Sequence, residues 1–218
     1  MTGLDSFAIM RNVMVDSQIR PTEVFDLRVI EPMRVLPREA FAPSGSLAYA
    51  DEDIALGNGR FLLKPIVAAR LAQLALEKNP THALVIGAGS GYLAAILSLA
   101  GVDVVALEEE SNLTNDALST YAGKVHAVIG PLHAGWPAGG PYDVIVVDGA
   151  LTEIPLAFAG QLSAGGRIVT VLADDATAGA VGRAVVAEPA SGGYAVIRQF
   201  DCTARLLPHF TPAPAFSF

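Results

Sequence analysis

The segment Ala83–Tyr92, ALVIGAGSGY, joins an unbroken apolar run to a loop of three alternate glycines, and the helix-forming LAAILSLA follows. No other stretch restricts the possible folds as much. A strand apolar on consecutive residues has both faces buried, which calls for a sheet packed on both sides. A glycine loop at the carboxyl end of such a strand lets backbone approach a ligand closely.

The rhythm persists downstream. VDVVALE, HAVIG, YDVIVVDG and GGRIVTVLA read as further strands, alternating with helical or loop segments at Tyr92–Ala100, Leu113–Tyr121 and Leu156–Leu162. Strands alternating with helices imply an α/β fold, doubly wound around a mostly parallel sheet. Towards the end, AVVAEP and GYAVIRQFDCTARLLPHF read as two strands able to form an antiparallel edge pair.

The residues before the sheet differ. Ser6–Ile19 spaces Phe7, Met10, Val13, Met14 and Ser17 as the inner face of an amphipathic helix, ended by Pro21. A second helix places Val24, Leu27, Ile30 and Met33 inward, with Pro32 forcing a kink or an early end. Residues 37–60 are rich in Pro and Gly and read as surface loop with short strands. A third helix over Pro65–Lys78 turns Ile66, Ala69, Leu71, Leu74 and Leu76 to one side. The expected organisation is one domain over 1–218: a helical, substrate-side segment over 1–80, then a cofactor-binding core with C-terminal strands over 81–218.

The glycine spacing selects among nucleotides. A dinucleotide fingerprint needs a third glycine at position 92, which is Tyr, and no Gly-Lys-Ser/Thr follows for a phosphate loop. The pattern at Gly87, Gly89 and Gly91 suits S-adenosylmethionine, whose amino-acid end carries no phosphate. Glu108 ends the next strand, where a carboxylate accepts hydrogen bonds from both ribose hydroxyls. It also begins an acidic cluster with Glu109 and Glu110; the distance from the loop favours the ribose role.

Composition narrows the classes. Hydrophobic residues make up 52% and charged residues 17%, enough for a filled core. A net charge of −8 without a basic run argues against a nucleic-acid partner. The apolar stretches fall short of the about 18 residues a membrane span needs, and MTGLDSFAIMRN lacks a signal peptide's basic n-region. The single cysteine, Cys202, reads as inert filler in a reducing cytoplasm, with a reactive thiol as the alternative. His82, His126, His133 and His209 are scattered, so no metal site is expected. Trp136 reads as an anchor packing its loop over the sheet.

Taken in order, MVDSQI, VLPREAF, LAYADEDIALGNG, VIGAGSGYLAAIL, GWP, PYDVIVVDGALTEIP and QLSAGGRIVTVL resemble the protein-L-isoaspartate (D-aspartate) O-methyltransferase family, collinearly from Met14 to Leu172. The resemblance implies a seven-stranded methyltransferase-type sheet with an N-terminal helical extension. It further implies methyl transfer from S-adenosylmethionine to the α-carboxylate of isoaspartyl residues in damaged peptides and proteins. Cofactor contacts are expected from Gly87, Ala88, Gly89, Ser90, Gly91, Glu108, Leu132 and Asp148, and substrate contacts from Arg60 and Lys64. For Asp148 a turn or cap role is the competing reading; for Arg60 and Lys64 it is ordinary solvated charge.

The chain departs from the family at three places. Leu63 stands where the family has a loop serine, Pro131 where it offers an aspartate to adenine, and Val85 at a strand-end acid. These losses leave open a member without isoaspartyl activity, acting as a nucleoside-binding or interaction protein, or methylating another acceptor. Oligomeric state has no sequence signature here.

Overall fold

The computed structural model describes residues 3–111, 116–174, 181–208 and 210. The N-terminal part comprises α1 (Gly3–Met14), α2 (Leu27–Val35), the hairpin β1 (Ile54–Gly57) and β2 (Arg60–Leu62), and α3 (Pro65–Leu76). Then follow β3 (His82–Ile86), α4 (Tyr92–Leu99), β4 (Asp103–Glu108), α5 (Asp116–Tyr121), β5 (Val125–Ile129), β6 (Tyr142–Leu151), β7 (Leu162–Ala173), β8 (Val181–Ala190) and β9 (Gly193–Thr203).

β3 to β9 form a seven-stranded sheet in the order β5-β4-β3-β6-β7-β8-β9. The first five strands are parallel; β8 and β9 add antiparallel, the expected edge pair. From β3 the chain runs outward through β4 to β5, then returns to lay β6 on the other side of β3. The reversal point therefore lies between the carboxyl ends of β3 and β6, where open α/β sheets bind ligands.

The continuous apolar runs follow from burial on both faces. Ala83, Val85, Val104, Ala106, Val144 and Val146 join a core with residues of α2, α3, α4 and α5. Their alternates Leu84, Ile86, Val105, Leu107, Ile145 and Val147 meet Leu132, Tyr142 and Phe158 on the opposite face. That second face is covered by the 3-10 turns Leu132–Ala134, Pro137–Gly139 and Leu156–Gln161. Pro131, Pro137, Gly139, Gly140 and Pro155 punctuate these segments too closely for α-helix to propagate. Of the helical stretch expected over Leu113–Tyr121, Asp116–Tyr121 is helical, and residues 112–115 lie outside the described set.

The N-terminal segment corrects the expected pattern. Met14 is buried, but Phe7, Met10, Val13 and Ser17 are exposed. α1 runs into a π-helical turn, Val15–Ile19, whose wider turn rotates the register and brings Val15 and Ile19 inward. On α1 itself Arg11 turns inward to Glu39 and Tyr49. In the second helix Ile30 and Met33 are buried as expected, whereas Leu27 is exposed and Val24 is buried ahead of the helix. The Asp26 cap on the Arg28 amide sets that entry, and Pro32 sits one turn before the helix ends. Ile66 is half-buried while Val67 takes the core position.

Residues 37–60 are not a surface loop throughout: Arg38, Phe41, Ala48 and Tyr49 are buried. Arg38 is the organising residue. Its Nε donates to the Ala48 carbonyl at 2.7 Å, its Nη2 to the Leu63 carbonyl at 2.6 Å, and its guanidinium lies 4.8 Å from the centre of the Tyr92 ring. One cation thus ties the 48–50 turn and the end of the β1–β2 hairpin to the start of α4. Replacing it, Arg38→Met, strands two buried carbonyls. Urea unfolding is expected to show a loss of about 3 kcal/mol, from two charge-assisted hydrogen bonds of about 1.5 kcal/mol each.

Candidate functional site

The glycine loop leaves β3 at the reversal point, and its conformation follows from its composition. Gly87 has φ +73 and Gly89 φ +55, in the left-handed region. The amides of Gly87 and Ala88 both donate to the Leu107 carbonyl, clamping the loop to β4. The Gly91 amide donates to the Ala88 carbonyl, and Gly91 caps α4. Ala88 and Ser90 are buried, and Ser90 Oγ is buried without a hydrogen-bond partner.

Glu108 ends β4 with 0% exposure, so it is not a solvated surface acid. Its Oε2 accepts from the Gly89 amide at 2.8 Å, and its Oε1 from the Glu109 amide at 2.8 Å. Oε2 also accepts from Arg60 Nη2 at 2.8 Å. Arg60 is only 3% exposed. Both sequence readings of Arg60 point outward, to substrate or to solvent; the structure turns it onto Glu108. A methyl group added at Gly87 would lie 2.7 Å from Arg60 Nη2, so the guanidinium lies directly over the loop.

Lys64 is also less free than a solvated charge. Its amide donates to Asp53 Oδ1, and its Nζ donates to Thr203 Oγ1 at 3.0 Å. Asp148 lies within β6, where pairing with β7 is irregular between Val146 and Ala150, so it is neither a turn nor a cap residue. It is buried, and its Oδ1 has no partner. Leu132 is brought close by Glu109, whose Oε1 accepts from its amide at 3.0 Å.

The three departures take apolar roles. Leu63 is buried, Val85 is a sheet-core residue, and Pro131 precedes the 3-10 turn at Leu132. Trp136 packs as expected: Tyr142 Oη donates to its carbonyl, and its ring covers Gly130. His82 stacks on Tyr142 and pairs with the Gly139 carbonyl. Among the described residues no group of three or more His, Cys, Asp or Glu could hold a metal, and no helix is long and apolar enough to cross a membrane. His209 lies outside the described residues.

Two side chains unmarked in the sequence roof the loop. Leu56 of β1 lies against Gly89, and Leu207 lies against Gly87. Leu207 is held by a short parallel bridge between Leu206 and Ala150, where the Leu207 amide donates to the Ala150 carbonyl. Periodicity carries no signal for either, because each contact joins segments far apart in sequence. Arg38 does have one, as the cation inside PREAF.

A mostly parallel sheet with a glycine loop at its reversal point, facing a buried acid on the adjacent strand, defines a nucleoside-binding α/β protein of methyltransferase type. Comparison with known proteins narrows this. The protein-L-isoaspartate(D-aspartate) O-methyltransferase family matches residues 10–180. Protein-L-isoaspartate O-methyltransferase 1 of Rhodopseudomonas palustris (strain HaA2) is 36% identical over 179 residues, 79% of this chain and 73% of that protein. Protein-L-isoaspartate O-methyltransferase 2 of Anaeromyxobacter sp. (strain Fw109-5) is 39% identical over 165 residues, 73% of this chain and 68% of that protein. The chain belongs to the protein-L-isoaspartate(D-aspartate) O-methyltransferase family. Its fold is shared with a Plasmodium falciparum protein assigned as such an enzyme and solved with S-adenosyl-L-homocysteine: TM-score 0.72 at 18% identity, over 90% of this chain and 98% of that one.

Burial pushes the Asp148 carboxyl up to about 7, against the pull of the Arg60 and Arg38 charges and with Glu108 and Asp53 adding to the rise. Folding therefore favours the protonated acid. The stabilisation is complete below the unfolded value of about 4 and is lost as pH rises through about 7. Urea unfolding of the wild type and Asp148→Asn at pH 5 and pH 8 should show the wild type losing stability relative to the variant at the higher pH. A pH-independent difference would place the charged Asp148 carboxylate in a compensated site.

Proposed function

We propose that the protein is an S-adenosylmethionine-dependent carboxyl methyltransferase acting on the α-carboxylate of isoaspartyl residues in peptides and proteins. The observation that carries this reading is the fully buried Glu108 carboxylate beside Gly89, at the sheet's reversal point, in a chain of this family. The donor set fits a nucleoside on one condition. Glu108 has an acceptor oxygen for ribose hydroxyls once the Arg60 guanidinium moves off it, and the loop's missing side chains allow the close approach.

Bound there, the cofactor supplies a methyl group on a sulfonium. An α-carboxyl group ordinarily loses its proton near pH ~3.5, so the acceptor is already ionised at neutral pH and the chain need not hold a general base. Its contribution is to orient the acceptor and exclude water. Leu56 and Leu207 supply an apolar roof, Ser90 Oγ a buried hydroxyl without a partner, and Lys64 a positive charge on the hairpin side. In this reading Gly87, Ala88, Gly89, Ser90, Gly91, Glu108, Leu132 and Asp148 line the cofactor site. Residues 1–218 act as one domain, with 1–80 on the substrate side. The lone cysteine and acidic balance suit a cytoplasmic enzyme without a nucleic-acid partner.

A second reading is transfer to another acceptor, or a member without turnover. Buried Leu63, which offers no side-chain donor, and the unpartnered Asp148 Oδ1 favour it. The two readings separate in one series: calorimetric titration with S-adenosylmethionine, then methanol release after incubation with an isoaspartyl peptide or its aspartyl counterpart. Binding with release at least about tenfold greater from the isoaspartyl peptide is the expected result. Binding without release from either peptide selects the second reading.

A further inference from the structure

The Arg60–Glu108 pair is buried but poorly made. Arg60 carries five N–H donors, and Nη2 alone has a partner; Nε and Nη1 are buried with none. Each stranded donor costs desolvation free energy, and Arg60, with one partnered nitrogen, is less well satisfied than Arg38, whose Nε and Nη2 both donate. By contrast, the carboxylate is held independently of Arg60, through the Gly89 and Glu109 amides. Removing the guanidinium therefore leaves Glu108 oriented.

Position adds to this. The guanidinium covers Gly87 and takes the lone-pair side of Oε2 left open by the Gly89 amide. A diol approaching Glu108 over the loop meets it first. Arg60 sits one residue past the Asn58–Gly59 turn of the two-stranded hairpin, a support outside the main sheet. An alternative acceptor is within electrostatic reach: Asp148, whose Oδ1 is buried without a partner and which feels the Arg60 charge.

We propose that Arg60 is an internal latch on the cofactor site: its guanidinium occupies the ribose-binding face of Glu108 and must swing away before a nucleoside binds. The inference rests on the cofactor reading above and adds to it a self-competition. Apparent affinity is then the intrinsic affinity multiplied by the open fraction, so an open population of about one in ten weakens binding about tenfold.

The test uses the full chain and S-adenosylhomocysteine, titrated calorimetrically into the wild type, Arg60→Gln and Arg60→Ala, with thermal unfolding reporting that each variant folds. Both variants are expected to bind at least about tenfold more tightly than the wild type. Equal or weaker binding by the folded variants overturns the latch and leaves the cofactor reading standing. Absence of binding by all three at millimolar ligand overturns both. Should neither variant fold, the wild type labelled with 15N-arginine carries the test. A buried guanidinium resonance that shifts on saturation with S-adenosylhomocysteine is expected, and unchanged resonances at saturation overturn the latch.

Discussion

Glu108 is the charge around which the chain is arranged. A carboxylate removed from water needs hydrogen-bond donors around it. Two backbone amides and one guanidinium meet that demand, and each commits a different part of the structure. The Gly89 amide reaches the acid only if the loop folds back tightly over the end of β4. The Glu109 amide fixes the turn out of that strand. Arg60 reaches it only if the hairpin lies across the sheet's carboxyl edge, and Arg38 keeps the hairpin's base there by binding the Leu63 carbonyl.

The site therefore has two layers of different origin. The floor, made of glycine loop, Glu108 and Asp148, rests on parallel strands packed on both faces. The roof, made of Leu56, Arg60 and Leu207, comes from a hairpin and a late segment, neither of which belongs to the parallel core. The three departures fall in both parts: Val85 lies in the parallel core beneath the loop, Leu63 follows the hairpin, and Pro131 precedes the turn at Leu132.

Much of this is legible in the sequence. The strands of the sheet, the edge pair and the glycine loop follow from period, punctuation and spacing, because burial on both faces leaves a signal one strand long. Glu108 is found by its distance from the loop. The inner face of the first helix is not legible, because a π-helical turn at Val15–Ile19 breaks the periodicity on which a helical face is assigned. Residues 37–60 read as surface because proline and glycine mark turns without saying where the turns lie. Arg60 is legible as a charge but not as a buried one: its direction depends on the hairpin's placement, a tertiary property. Leu207 leaves no trace, since its importance comes wholly from its neighbours.

The bridge between Leu206 and Ala150 has a consequence for biosynthesis. Leu207 reaches Gly87 only because the chain, after leaving the sheet through β8 and β9, returns beside β6. A ribosome must deliver that segment well after the loop it covers. On a nascent chain Leu56 and Arg60 precede the loop, whereas the Leu207 side of Gly87 stays uncovered until the segment after β9 has been delivered.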